Sequence, residues 1–187
     1  IEVLDFGAGK GYLTFALHDH LRNTLGRDAQ VTGVEIRPDM VDLCNGIAAR
    51  LGLQDLRFEL GDVGSYAPRP VDVMIALHAC DTATDDAIAF GLAKKAQAMV
   101  LVPCCQAELA ARLRQHKALQ LTRTPLAELW RHPLHTREIG SQLTNALRCL
   151  QLEAHGYQVT VTELVGWEHS MKNELIIARR TGAPRKN

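Results

Sequence analysis

No apolar run in this 187-residue chain approaches the ~20 residues needed to span a bilayer. No signal peptide is visible either, so no membrane role is expected. Net charge is also missing: 21 Lys and Arg balance 21 Asp and Glu. That excludes a nucleic-acid footprint over the whole surface, though not a local basic patch. No C-x-x-C occurs among the five cysteines, Cys44, Cys80, Cys104, Cys105 and Cys149. Their odd number and irregular spacing give neither a disulfide framework nor a zinc site. A reducing cytoplasm is the expected compartment, and a monomer the expected state. An initiating Met is absent, and the chain opens directly on a strand-like run. It is therefore expected to be a domain from a longer protein.

What is present is an ordinary globular composition, 47% apolar and 22% charged, long enough for one domain with one core. The first informative stretch is Asp5-Phe6-Gly7-Ala8-Gly9-Lys10-Gly11. It follows the apolar run Ile1-Glu2-Val3-Leu4 and precedes an amphipathic pattern with Leu13, Leu17 and Leu21 on one helical face. A strand, a glycine turn and a helix form a place where backbone can approach a nucleotide-like ligand. The spacing Gly7-x-Gly9-x-Gly11 is tighter than G-x-G-x-x-G.

Strand and helix signals then alternate. Gln30–Ile36 reads as a strand, and Pro38–Leu51 as a helix with Met40, Cys44, Ile47, Ala48 and Leu51 inward. Leu56–Leu60 reads as a third strand running into Gly61-Asp62-Val63. Val71–Leu77, nearly all apolar, reads as a central strand covered on both faces. A helix opens near Thr82, with Thr82 and Asp85 as cap signals. Ala98–Val102 is a fifth strand ending in Pro103-Cys104-Cys105-Gln106, and another helix follows. Residues 118–136 break the pattern and read as an insertion. A helix from about Arg137 to His155 places Ile139, Leu143, Ala146, Leu147 and Leu150 on one stripe. Gln158–Val165 and Glu174–Ala178 then form an antiparallel hairpin. Alternation of this kind predicts an α/β fold with a mostly parallel sheet and helices on both faces.

Three carboxylates fall at the ends of the first three strands: Asp5, Glu35 and Asp62. Ligands of parallel sheets bind at carboxyl strand ends. Glu35 can accept hydrogen bonds from both hydroxyls of a ribose, and Asp62 one from an exocyclic amine. With these residues, the glycine turn resembles the first motif of class I S-adenosylmethionine-dependent methyltransferases. That resemblance covers nearly the whole chain and implies a Rossmann-like seven-stranded sheet of order 3-2-1-4-5-7-6, the last strand antiparallel. It assigns the methionine part of the donor to the glycine turn, the ribose to Glu35 and the adenine to Asp62. Phe6, Ala8, Gly11, Ile36, Gly61, Val63 and Leu77 are the expected flanking contacts. A nicotinamide cofactor is the competing reading, which the closing hairpin disfavours.

Strand four ends in Leu77-His78-Ala79-Cys80-Asp81-Thr82-Ala83-Thr84-Asp85. The N/D-P-P-Y/F/W motif of adenine-N6 enzymes is not there. The stretch, with Cys104-Cys105, resembles methyltransferases that include the tRNA acceptor-stem 2′-O group, whose pattern is K-H-L-C-G-x-A-T-D with a later C-C-H. It departs from them at Leu77, Asp81 and Gln106. His78 can orient or deprotonate an acceptor, or simply pack beside the cofactor. Asp81 reads as a base or a helix cap, and Lys172 as a phosphate contact or a solvated side chain. Cys104 and Cys105 read as thiols lining the pocket rather than as nucleophiles. Between Arg112 and Arg137 six basic residues face one acid, Glu128. Arg112, Arg123 and Arg131 are therefore candidate RNA contacts, and Trp130 and Trp167 candidate stacking or rim aromatics.

Overall fold

A computed structural model describes residues 1–64, 70–77, 82–103, 108–109, 111, 129, 131–166, 168 and 173–182. Seven strands form one sheet: β1 (Glu2–Phe6), β2 (Gln30–Glu35), β3 (Leu56–Leu60), β4 (Val73–Ala76), β5 (Ala98–Leu101), β6 (Tyr157–Glu163) and β7 (Glu174–Arg180). Their order is β3-β2-β1-β4-β5-β7-β6. The pairs β1–β2, β1–β4, β2–β3 and β4–β5 are parallel, while β7 runs antiparallel to both β5 and β6. The order implied by the family resemblance is the observed one.

Alternation along the central strands explains the two-sided core. Leu4 and Phe6 of β1, and Met74 and Ala76 of β4, join Met99, Leu101, Leu152 and Ile176 on one face. Val3 and Ile75, one residue out of phase, join Val31, Cys44, Ala48 and Phe58 on the other. Helices α1 (Tyr12–Asp19), α2 (Pro38–Arg50), α3 (Thr82–Lys94) and α4 (Pro133–Ala154) supply the covering layers. Among the described residues no helix is long and apolar enough to cross a membrane.

Three expectations need correction. The first helix, expected from Tyr12 to about Leu25, stays α-helical only to Asp19; His20–Thr24 is a π-helical turn. In α2 the buried residues are Val41, Cys44 and Ala48, and Leu51 is 64% exposed. The largest difference lies in α4. It starts at Pro133, four residues before the expected Arg137, and so takes in the end of the region read as an insertion. Its leucine stripe does not face the core. Leu143, Leu147 and Leu150 are 45%, 62% and 55% exposed, whereas Thr136, Gly140, Asn145, Arg148 and Leu152 are buried.

The polar side of α4 turns inward because it has partners there. Arg148 donates Nε and Nη2 to the two carboxylate oxygens of Asp85, at 2.6 and 2.7 Å. Its Nη1 reaches Asn145 Oδ1 at 3.3 Å, and Asn145 Nδ2 donates to Glu174 Oε2 at 2.7 Å. The guanidinium–carboxylate pair is bidentate, so it fixes the orientation of both groups. Asp85, expected as a cap signal, thus carries a tertiary contact.

Candidate functional site

The glycine turn hangs on β2. Gly7 N–H and Ala8 N–H both donate to the Val34 carbonyl, at 2.8 and 3.1 Å, and Gly11 N–H closes the turn on the Ala8 carbonyl at 2.8 Å. Gly7, Gly9 and Gly11 have φ of 74°, 57° and 73°, the left-handed region that a side chain resists. Asp5 is only 3% exposed beneath the turn, and its Oδ2 accepts from Thr14 Oγ1 at 2.7 Å. This ties the turn to the first helix.

Glu35, at the end of β2, is 6% exposed. Its Oε2 accepts from Gly9 N–H at 2.8 Å, and its Oε1 accepts from Arg37 N–H at 3.2 Å and Arg37 Nε–H at 3.1 Å. Burial alone pushes the Glu35 carboxyl upward, but the Gly9 and Arg37 hydrogen bonds and the Arg37 charge outweigh it and hold it below the ordinary value. A carboxylate offers about four lone-pair sites. Two are engaged on Oε1, so Oε2 is the open side for a hydroxyl. Arg37 was not foreseen as a site residue. Alternation places i and i+2 on one side of an extended strand, and that signal would have found it.

Two other groups support this corner. Cys44 packs under the turn with Sγ 3.8 Å from the Gly9 carbonyl. Burial, then the Glu35 charge, push its thiol upward, so it stays protonated. Asn45 holds the outer edge of β3: its Nδ2 donates to the Phe58 carbonyl and its Oδ1 accepts from Phe58 N–H, both at 2.8 Å. The Phe58 ring is thereby fixed against the turn.

A cavity of about 630 Å³ lies at the carboxyl ends of β1, β2 and β3. Phe6, Gly7, Gly9, Glu35, Ile36, Gly61, Asp62 and Val63 line it, which brings together most of the residues expected from sequence. Arg37, Ala83 and Asp86 are added to that wall; the last two come from α3 and had no local signal. A second cavity, of about 320 Å³, lies on the other side of the turn, between Asp5, Ala8, Lys10, Tyr12, Leu13 and Leu77. Gly7 and Gly9 line both. Gly11 lines neither; it is buried at the N-terminus of α1, against the Phe58 ring. His78, Asp81 and Lys172, together with Cys104, Cys105, Arg112, Arg123, Trp130 and Trp167, lie outside the described residues. Arg131 is exposed, just ahead of α4.

Residues 1–112 match a family described as a methyltransferase domain. The chain belongs to that family. Solved structures of methyltransferases carry the same fold as this methyltransferase domain. The 23S rRNA methyltransferase ErmE is 18% identical, with a TM-score of 0.58 over 100% of this chain and 64% of that one. An rRNA methylase from Streptococcus thermophilus is 13% identical, with a TM-score of 0.54 over 96% of this chain and 86% of that one. Magnesium protoporphyrin IX methyltransferase ChlM from Synechocystis PCC 6803, solved with bound SAH, is 17% identical, with a TM-score of 0.54 over 96% and 73%. The chain spans less than two thirds of ErmE, and 47% of a matching citrinin polyketide synthase structure. No curated protein shows significant sequence similarity to it. A methyltransferase domain on this sheet uses S-adenosylmethionine as methyl donor.

Proposed function

We propose that this chain is an S-adenosylmethionine-dependent methyltransferase that seats its donor across the glycine turn and methylates RNA. The observation that carries the donor half is the pair of cavities meeting at Gly7 and Gly9, with the Glu35 carboxylate already held at their edge. The larger cavity lies within the roughly 300–1,000 Å³ usual for a small-ligand site. It suits the adenosine half, with Glu35 on a ribose hydroxyl, Asp62 toward the adenine amine and Ile36 as an apolar wall. The smaller cavity suits the methionine half, beside Lys10 and Leu77. The donor supplies a methyl group on a positively charged sulfur. The chain's task is then to hold donor and acceptor aligned, with a base needed only for an acceptor that enters protonated. His78 and Asp81 join β4 to α3 in sequence, and we assign them to the acceptor, with Lys172 on a phosphate. The RNA assignment rests on the basic stretch that includes Arg112, Arg123 and Arg131. The resemblance of Leu77–Asp85 and Cys104-Cys105 to the tRNA 2′-O group belongs to the same proposal.

Calorimetry with S-adenosylhomocysteine tests the donor half. Wild type is expected to bind, and Glu35→Ala to weaken binding by about 10–100-fold, the value of hydrogen bonds to a charged group. Affinity should also follow the Glu35 carboxyl. Its folded value lies below the ordinary 4.5, so the charged form predominates at that pH and is lost as pH falls through the lower folded value. Binding should therefore be flat from neutrality to about pH 5 and fall below it; a fall already at pH 6 would remove Glu35 from the site. For the acceptor, cell-extract fractions are incubated with labelled donor. Label in RNA is expected. Label in protein or metabolites moves the acceptor there, and no label leaves a cofactor-binding module.

A further inference from the structure

The Arg148 network described above reaches the same cavity from behind. Arg148 is 3% exposed, and a buried guanidinium is a costly way to fill space. What it offers instead is orientation, because its planar fork fixes a carboxylate in two dimensions. Asp85, which it grips, lies between Ala83 and Asp86, the two α3 residues in the wall of the larger cavity. Asp85 is 47% exposed and has no comparable need of the pair for its own solvation. On its other side the network reaches Glu174, the first residue of β7. Because β7 is antiparallel, that end lies beside the carboxyl end of β5, where Leu101 pairs with Ile176. Two buried side chains, Arg148 and Asn145, therefore join α4, the first turn of α3 and the start of β7 along the ligand-binding edge of the sheet.

We propose that Arg148 is a positioning residue for the donor site: acting through Asp85, it fixes the first turn of α3 and so holds the Ala83–Asp86 wall against the ligand. This rests on the reading of that cavity as the donor site. The test compares wild type with Arg148→Met and Arg148→Lys in the full chain, with Arg179→Met as control; among the described residues the exposed Arg179 side chain bonds to exposed Gln158 on the neighbouring strand. Three quantities are measured: the S-adenosylhomocysteine Kd, the thermal midpoint, and amide hydrogen exchange over residues 83–87.

Arg148→Met is expected to keep a cooperative thermal transition, raise Kd about tenfold, the scale of one lost hydrogen bond, and speed exchange over 83–87 but not in β1 or β2. Arg148→Lys, able to make one bond to Asp85, should recover part of the affinity. Arg179→Met should leave Kd unchanged. An unchanged Kd and unchanged exchange in Arg148→Met would overturn the proposal, as would exchange that rises uniformly across the sheet. If wild type does not bind, the reading of the cavity fails, and exchange over 83–87 still decides the positioning role. If Arg148→Met does not fold, Arg148→Lys carries the same criteria.

Discussion

Asp85→Ala is expected to destabilise the domain by about 3 kcal/mol, whereas Arg148→Met should cost about 1 kcal/mol or less. Removing the carboxylate takes the bidentate partner from a cation that is 3% exposed. Removing the cation leaves a carboxylate that water already reaches, because Asp85 is 47% exposed. The figure for Asp85→Ala sits at the low end of the usual range for a broken buried pair because that side is half open. Against a total stability of about 5–15 kcal/mol it would shift the urea midpoint visibly. The double variant Asp85→Ala/Arg148→Met should recover most of the loss. A double variant that costs the sum of the two single variants would mean that Arg148 gains nothing from the pair.

Gly11→Ala is the second large effect, expected at about 2–4 kcal/mol. A Cβ there would lie 2.7 Å from Phe58 Cζ, and φ is +73°. Gly33→Ala provides the comparison. Its Cβ would lie 2.6 Å from Phe58 Cδ1 and Cε1 and 2.9 Å from Ala8 Cβ, with no backbone penalty. Overpacking alone should cost it about 1–3 kcal/mol. The Phe58 ring cannot step aside easily, since Asn45 pins its backbone on both sides and Phe15 packs 5.4 Å from it. Shrinking the ring with Phe58→Leu should restore Gly33→Ala nearly fully but Gly11→Ala only in part. Denaturation of the three single variants and the two doubles measures this. Full rescue of both would place no strain at Gly11.

How far the fold could be read from sequence depended on where each signal was stored. The glycine turn, Glu35 and Asp62 are local: a turn that needs positive φ, and acids placed at strand ends. The near-continuous apolar run of β4 announced a strand covered on both sides, and the short apolar run before the glycine turn announced β1. The closing hairpin was legible from the short link between its strands. The strand order came from the family resemblance, since periodicity supplies elements without neighbours. The orientation of α4 was not legible. Its leucines form the better helical stripe, yet Asp85 lies 63 residues and Glu174 29 residues from their partners on α4. Only contacts over such separations make the polar side the inward one. The α3 contribution to the cavity was hidden for the same reason. Arg37 was legible in principle from its spacing to Glu35.

The three hydrogen bonds that Glu35 already makes change what donor binding measures. A hydroxyl arriving at Oε2 finds a free lone pair, but one arriving at Oε1 must displace a bond from Arg37, whose half-exposed side chain can turn to water. The first is an added bond and the second an exchange of like for like. Deoxy analogues of S-adenosylhomocysteine should therefore rank unequally: removal of the hydroxyl that meets Oε2 costs affinity, and removal of its neighbour costs little.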